Sequence, residues 1–336
     1  MPETTPGTTP SSAVAADWKL DPADAGACER LARTLCTRGD DQVDSPEWVS
    51  RARDAWEDLP PPLRREVRRF RRHSGPHGTM VIGGLPIDQA ALPVTPTVRG
   101  SVQRQATVSA AVLTMVACGL GEPLAYLAEK SGALVQDVVP VPGHETFHGN
   151  AGSVPLSFHT ENGFHPHPPD YVVFLCLRAD HDQIAGMRIA GIRQALPLLT
   201  PAGRQTLFAS EFVTTPPPSF GPDAAATESD VKPRPVLSGA VEDPDIRMAQ
   251  LVTTPLTPRA AAALAEFGRA CEATARTLRL TPGDLVVIDN RVTVHGRTAF
   301  HPRYDGADRW LQRTYVTTDL RRSRDHRPDD GHILAR

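Results

Sequence analysis

Apolar residues in this 336-residue chain follow two different rhythms. Before about residue 75 they recur every three or four positions; beyond it they gather into short runs bounded by Pro and Gly. The first rhythm predicts three helices. Asp21-Pro22 caps and opens one that carries Leu31, Ala32 and Leu35, Ser45-Pro46 opens a second reaching Trp56, and Pro60-Pro61-Pro62 starts a third with Leu63, Val67 and Phe70. That third helix also carries Arg64, Arg65, Arg68, Arg69, Arg71 and Arg72, which read as a solvated face with Glu57, Asp58 and Glu66 as partners. In the second rhythm, residues 79 to 88 read as the first strand of the main sheet, and 106 to 120 as a buried helix ended by Gly119. Further strands are expected at 134–139, 154–158, 170–178, 187–193, 284–290, 292–299 and 310–318, with helices starting at Pro201 and Pro258. Short strands between Pro/Gly turns, with helices before and among them, predict a mainly β fold with flanking helices: a distorted jelly roll.

The polar stretches set the boundaries. Residues 1 to 17, rich in Thr, Pro, Ser and Ala, are expected to form a disordered tail, and 18 to 336 a single domain whose first part (18 to 75) is helical. The charged stretch from 321 to 336 is expected to be mobile. Residues 214 to 246 begin Thr-Thr-Pro-Pro-Pro-Ser-Phe-Gly-Pro-Asp, and so long an irregular segment reads as either disordered or a functional lid. A net charge of −3, no notably basic half and only 5% aromatic residues give no reason to expect nucleic acid or an anionic membrane as partner. The five cysteines (28, 36, 118, 176, 271) are scattered with no C-x-x-C spacing, so reduced thiols and a cytoplasmic setting are expected. No run approaches the roughly 20 apolar residues that cross a bilayer, and neither a basic start nor an apolar run marks a secretory leader. A small-molecule substrate fits these bounds.

The chemistry gathers around Ser157-Phe158-His159-Thr160-Glu161-Asn162-Gly163-Phe164-His165. His159 and Glu161 stand two apart, so on an extended chain both side chains leave one face. An imidazole and a carboxylate there are two-thirds of the 2-His-1-carboxylate set that holds non-haem Fe(II) and leaves positions open. His295, just past the strand at 284–290, is the candidate third ligand. Downstream, Arg309 and Arg313 are four apart on a strand, about 13 Å along one face. Each can hold a carboxylate in a bidentate fork. Together these suit an enzyme that binds a keto-diacid cosubstrate and an amino acid. A zinc hydrolase using the same triad would leave Arg309 without a purpose.

The segments Gly121-Glu-Pro-Leu-Ala-Tyr126 through Glu129, Val135-Gln-Asp-Val-Val-Pro-Val-Pro-Gly143, Asn150-Ala-Gly-Ser153, the metal stretch itself, Asp289-Asn-Arg-Val-Thr-Val-His-Gly-Arg297 and Arg303 to Arg313 resemble the clavaminate synthase-like Fe(II)/2-oxoglutarate oxygenases. Within that group the chain is most similar to the free amino acid β-hydroxylases, of the asparagine- and arginine-oxidising type, from peptide-antibiotic pathways. The resemblance is dense over 118–180 and 280–320 and patchy before 75. It implies a double-stranded β-helix, an active-site lid formed by 214–246, Fe(II) on His159, Glu161 and His295, 2-oxoglutarate and O2 as cosubstrates, and hydroxylation at C3 of a free L-amino acid in specialised-metabolite biosynthesis. By the same resemblance Arg309 matches the arginine that binds the distal carboxylate of 2-oxoglutarate. Arg313 matches the one that binds the substrate α-carboxylate, and Glu129 and Asn150 match contacts to the amino group and polar atoms, with Glu161 also near the amine. Desaturation, cyclisation, or a modified or carrier-tethered amino acid are alternatives on the same architecture, although no carrier-docking patch is evident. Two departures stand out. Arginine-oxidising members have acidic residues after a Pro-x-x-Arg-like segment, whereas here Pro244-Asp-Ile-Arg247-Met-Ala-Gln250 has none after the Arg, which favours a neutral side chain. Where relatives carry a hydroxyl residue that aids 2-oxoglutarate, this chain has Met187 and Arg188.

Overall fold

The stretch Tyr171–Arg178 is buried on both faces, and its alternation explains the layering. Tyr171, Val173, Leu175 and Leu177 enter one apolar cluster, while Val172, Phe174 and Cys176 enter another. A computed structural model describes residues 16–37, 41–217, 220 and 232–335. In chain order its strands are β1 (Trp18–Lys19), β2 (Thr79–Gly83), β3 (Glu122–Tyr126), β4 (Gln136–Val138), β5 (Leu156–His159), β6 (Tyr171–Arg178), β7 (Met187–Gly191) and β8 (Phe212–Thr214). They continue as β9 (Leu237–Gly239), β10 (Pro244–Ile246), β11 (Thr253–Pro255), β12 (Arg276–Leu278), β13 (Leu285–Asp289), β14 (Thr293–Arg297), β15 (Trp310–Thr317) and β16 (Ile333–Leu334).

Eight of these strands form the larger sheet, in the order β1-β2-β13-β6-β15-β3-β16 with β4 also paired to β15. A four-stranded sheet, β12-β7-β14-β5, faces it. Met187, Ile189 and Leu278 of the smaller sheet meet Phe174, Val286, Ile288 and Leu311 of the larger one. The outer face of the larger sheet is covered by four helices: α1 (Pro22–Leu35), α2 (Pro46–Glu57), α3 (Pro61–Arg72) and α4 (Val108–Leu120). The outer face of the smaller sheet packs on the helix Pro258–Thr274 through Ala190, Val294 and Phe267. A mainly β fold with flanking helices is what the alternating apolar runs predict.

The three N-terminal helices begin where expected, with Asp21 and Ser45 capping α1 and α2 through their side chains. On α3, Leu63, Val67 and Phe70 are buried; Arg64 and Arg68 reach Glu57, and Arg69 reaches Glu66.

Several expectations are corrected. Gly119 does not end α4; it lies inside the helix, where an added Cβ would sit 2.4 Å from the Trp56 ring, so its role is close packing. The main sheet begins before residue 79, because Trp18–Lys19 pairs parallel with β2. Residues 16 and 17 of the proposed tail are held, Asp17 through mutual hydrogen bonds with Val81; residues 1–15 lie outside the described residues. Nor is 321–335 a loose end. Arg327 is buried, donating to Ser323 and to the carbonyls of Leu320 and Gly331, and β16 pairs with β3. Of the lid segment, residues 236–246 are fixed by the β9–β10 hairpin and by Val236 and Leu237 in the core. Residues 218–219 and 221–231 of it lie outside the described residues.

Candidate active site

The smaller sheet brings the two histidines together by register. His159 is the last residue of β5 and stands directly across from His295 on β14, with ring centroids 4.4 Å apart. Glu161 is not on the strand, as the same-face argument supposed. The chain leaves β5 at His159, and Glu161 opens a tight turn in which Asn162 takes a left-handed φ of 51°. The carboxylate still arrives at the histidines because Asn290, at the end of β13, clamps the turn. Its Oδ1 accepts from the Glu161 N–H at 2.8 Å, and its Nδ2 donates to the carbonyls of Glu161 (3.0 Å) and Pro169 (2.9 Å).

One donor atom from each of His159, Glu161 and His295 lies within 4.8 Å of the other two. His295 Nε2 stands 3.4 Å from Glu161 Oε1. The His159 Nδ1–H donates to the Ser157 carbonyl at 2.9 Å, which leaves Nε2 as the lone-pair nitrogen. Burial, then the neighbouring His295, pushes the His159 imidazole down to about 4, so it is neutral near pH 7. Burial alone would raise the Glu161 carboxyl, but Arg313 and the two imidazoles outweigh it and hold it well below the usual carboxylate range. A neutral imidazole and an ionised carboxylate are the forms that bind metal, so this donor set fits a divalent ion with open positions.

The larger sheet supplies the other wall. Arg313 on β15 is 2% exposed; its Nη1 donates to Glu161 Oε1 at 2.7 Å, and its Nη2 donates to Glu129 Oε1 at 2.6 Å and to Gln136. Its Nε has no partner among the described residues. Tyr315, two residues on and on the same face, places its hydroxyl between Glu129 and Glu161. Glu129 and Asn150 line a cavity of about 720 Å³ together with His159, Glu161 and Arg313. Thr214 and Pro217, from the start of the lid segment, also line it.

Arg309 differs from its expected placement. It precedes β15, whose pairing with β6 shifts register between Trp310 and Leu311, and it lines a separate small pocket with Cys176, Asp180 and Met187. It is buried and has no hydrogen bond or carboxylate partner among the described residues; burial lowers its affinity for a proton. Arg188 is committed elsewhere, to Glu272 at 2.6 Å and over the Phe158 ring. Asp243 and Asp245, the acids before Arg247, pair with Arg193 and Arg291. The segment after them runs beside β5, with Ala249 opposite His159.

Sequence reasoning missed Asn290, Gln136 and Tyr315. Tyr315 was within reach, since a period of two from Arg313 puts it on the same face. Asn290 was not, because its partners are 121 and 129 residues away.

Residues 226–315 match the family described as taurine catabolism dioxygenase TauD, TfdA. The chain is 56% identical over 322 residues to L-asparagine oxygenase of Streptomyces coelicolor, covering 95% of each. It is 34% identical over 264 residues to clavaminate synthase 2 of Streptomyces clavuligerus, covering 78% of this chain and 80% of the relative. Among solved structures it is similar to asparagine oxygenase in complex with Fe(II), 2S,3S-3-hydroxyasparagine and succinate, with a TM-score of 0.91, 55% identity, and 95% and 98% of the two chains covered. It is also similar to the non-heme iron oxygenase OrfP with Fe, succinate and (3S)-hydroxy-L-Arg, at a TM-score of 0.86 and 30% identity over 95% and 99%.

Proposed function

The chain belongs to the TauD/TfdA family of Fe(II)/2-oxoglutarate-dependent dioxygenases, and from that premise we propose that it hydroxylates C3 of a free, neutral L-amino acid, L-asparagine first among them. The observation that carries the reading is the convergence of His159, Glu161 and His295, with a neutral His159 imidazole and an ionised Glu161 carboxylate, beside a buried Arg313–Glu129 ion pair. The two facing sheets, antiparallel except at the edge pairings of β1 with β2 and β16 with β3, support the finer description as a distorted jelly roll, or double-stranded β-helix. We assign His159, Glu161 and His295 as the iron ligands. When bound, iron and 2-oxoglutarate supply the O2 activation that an unactivated C–H bond requires.

The rest is the protein's work. Arg309 is a buried guanidinium with Asp180 nearby but no hydrogen-bonded carboxylate among the described residues, a costly arrangement that an anionic ligand relieves; it serves the distal carboxylate of 2-oxoglutarate. At the other wall, the Arg313–Glu129 pair selects a zwitterion. A free α-amino acid brings one charge of each sign, so its carboxylate can take Arg313 and its ammonium Glu129 without leaving a net buried charge. A carrier-tethered thioester lacks that carboxylate. Among the described residues the substrate side chain meets no uncommitted acid: Asp137 serves Ser101 and Trp310, and Ala249 stands beside His159. Lysine, ornithine and arginine side chains are therefore disfavoured, and Asn150 is left to bind a neutral polar group.

The test is anaerobic reconstitution with Fe(II) and 2-oxoglutarate, followed by a panel of L-amino acids scored for succinate release. Release that depends on L-asparagine or another neutral residue, and is lost in His159→Ala and strongly reduced in Arg309→Gln through a raised KM for 2-oxoglutarate, is the expected result. Release stimulated only by cationic residues overturns the substrate assignment. Failure of the visible Fe(II)–2-oxoglutarate absorption band to form overturns the site.

A further inference from the structure

The site contains a donor to which the reading above gives no role. The Tyr315 hydroxyl lies 3.2 and 3.1 Å from the two oxygens of Glu129 and 3.3 Å from Glu161 Oε2. All three residues are buried. A phenol has one proton, so it can donate to one carboxylate at a time. The two carboxylates it faces have different proposed partners, the substrate ammonium for Glu129 and the metal for Glu161.

We propose that Tyr315 is a positioning residue that couples amino-acid binding to the metal ligand Glu161 by transferring its hydrogen bond from one carboxylate to the other. Without an amino acid, Glu129 accepts from both Arg313 Nη2 and the phenol. Once an ammonium occupies Glu129, the phenol turns to Glu161 Oε2, an oxygen with no other donor among the described residues. Glu161 Oε1 is the oxygen that faces His295. Holding Oε2 on Tyr315 therefore presents Oε1 alone to the metal and keeps the second oxygen from closing a coordination position. The ring itself is held in place, with Arg313 over its face at 4.6 Å and Tyr126 packed edge-on at 5.7 Å. Both contacts survive in Tyr315→Phe, so that variant removes the hydroxyl and little else.

This rests on the assignment of His159, Glu161 and His295 as ligands, and the experiment separates the two. Co(II) is titrated anaerobically into wild type, Tyr315→Phe and His159→Ala, with and without the amino acid that supports turnover, and affinity and visible spectrum are read together. With the amino acid bound, Tyr315→Phe is expected to bind Co(II) about fivefold more weakly than wild type and with an altered spectrum; without it the affinities are expected to match, because the phenol then serves Glu129. In wild type the amino acid is expected to tighten Co(II) binding about fivefold, the worth of one hydrogen bond, and Tyr315→Phe is expected to lose that coupling. A folded Tyr315→Phe protein with wild-type affinity, spectrum and coupling overturns the proposal while leaving the metal site in place. The wild-type coupling stands as a test even if the variant does not fold, since an amino acid that leaves Co(II) affinity unchanged overturns it too. Unimpaired Co(II) binding by His159→Ala overturns the metal site itself, and the role of Tyr315 with it.

Discussion

Asn290 offers the most direct measurement of how the metal-side carboxylate is held. Asn290→Ala removes three buried hydrogen bonds, to the Glu161 N–H, the Glu161 carbonyl and the Pro169 carbonyl. At about 1 kcal/mol net for each, the loss is about 3 kcal/mol, a large share of the roughly 5–15 kcal/mol that stabilises a domain. The turn then loses its anchor, so metal affinity falls along with stability. Asn290→Asp separates charge from shape. The introduced carboxylate can still accept from the Glu161 N–H, but its other oxygen faces two carbonyls with no proton to share. Its ionised form is disfavoured in the folded protein, so its folded pKa lies above the unfolded value. The charge part of the deficit is therefore full above the raised folded pKa and disappears as pH falls below the unfolded one, near 4, leaving the loss of one donor. Urea denaturation of the three proteins, with a metal titration at each pH, reads both effects. An Asn290→Ala protein within about 0.5 kcal/mol of wild type and with unchanged metal affinity would refute the clamp.

Two further outcomes follow from other positions. Gly296→Ala places a Cβ 2.3 Å from the Leu156 carbonyl, at the irregularity between β14 and β5, so the strands must part and carry His295 away from His159; metal affinity should drop by more than tenfold in a protein whose circular dichroism is little changed. Lys130 is held by the carbonyls of Ser101 and Asp137, and burial, with Arg313 second, pushes its ammonium down to about 8. The folded form releases this proton before the unfolded one does, so its penalty is full below about pH 8 and is relieved as pH rises toward about 10.5, a span worth about 3 kcal/mol. Lys130→Met should accordingly be more stable than wild type at pH 7, with the advantage shrinking over that range in pH-dependent denaturation; a constant difference would contradict it.

Much of this architecture could be read from apolar spacing alone. The helix starts at Asp21 and Ser45 and the all-apolar run at 171–177 are local signals, and local signals survive in a sequence. Each miss has a tertiary cause. Glu161 reaches the histidines through a turn held by Asn290 from another strand, and no spacing rule contains that partner. Gly119 looks like a helix terminator, but it is Gly because a Trp56 ring fills the space where a side chain would stand, and the helix ends past it at Leu120. The charged C-terminal stretch resembles a solvated tail until Arg327 is seen to satisfy three carbonyl and hydroxyl groups inside the protein. Arg309 and Arg313 share a strand on paper; the register slip after Trp310 turns one toward its own pocket and the other toward the carboxylates.

The division of the site between two sheets has an evolutionary consequence. His159 and His295 belong to the smaller sheet and Glu161 to the turn leaving it, while Arg313 and Tyr315 ride on the larger sheet, with Glu129 at the turn after β3. Mutation along one wall can redraw which molecule is accepted and leave the oxidising wall as it was. A lineage built this way can diversify its substrates by small steps, and a directed library confined to 129 and 136, both on the larger-sheet side, would retrace that path in the laboratory.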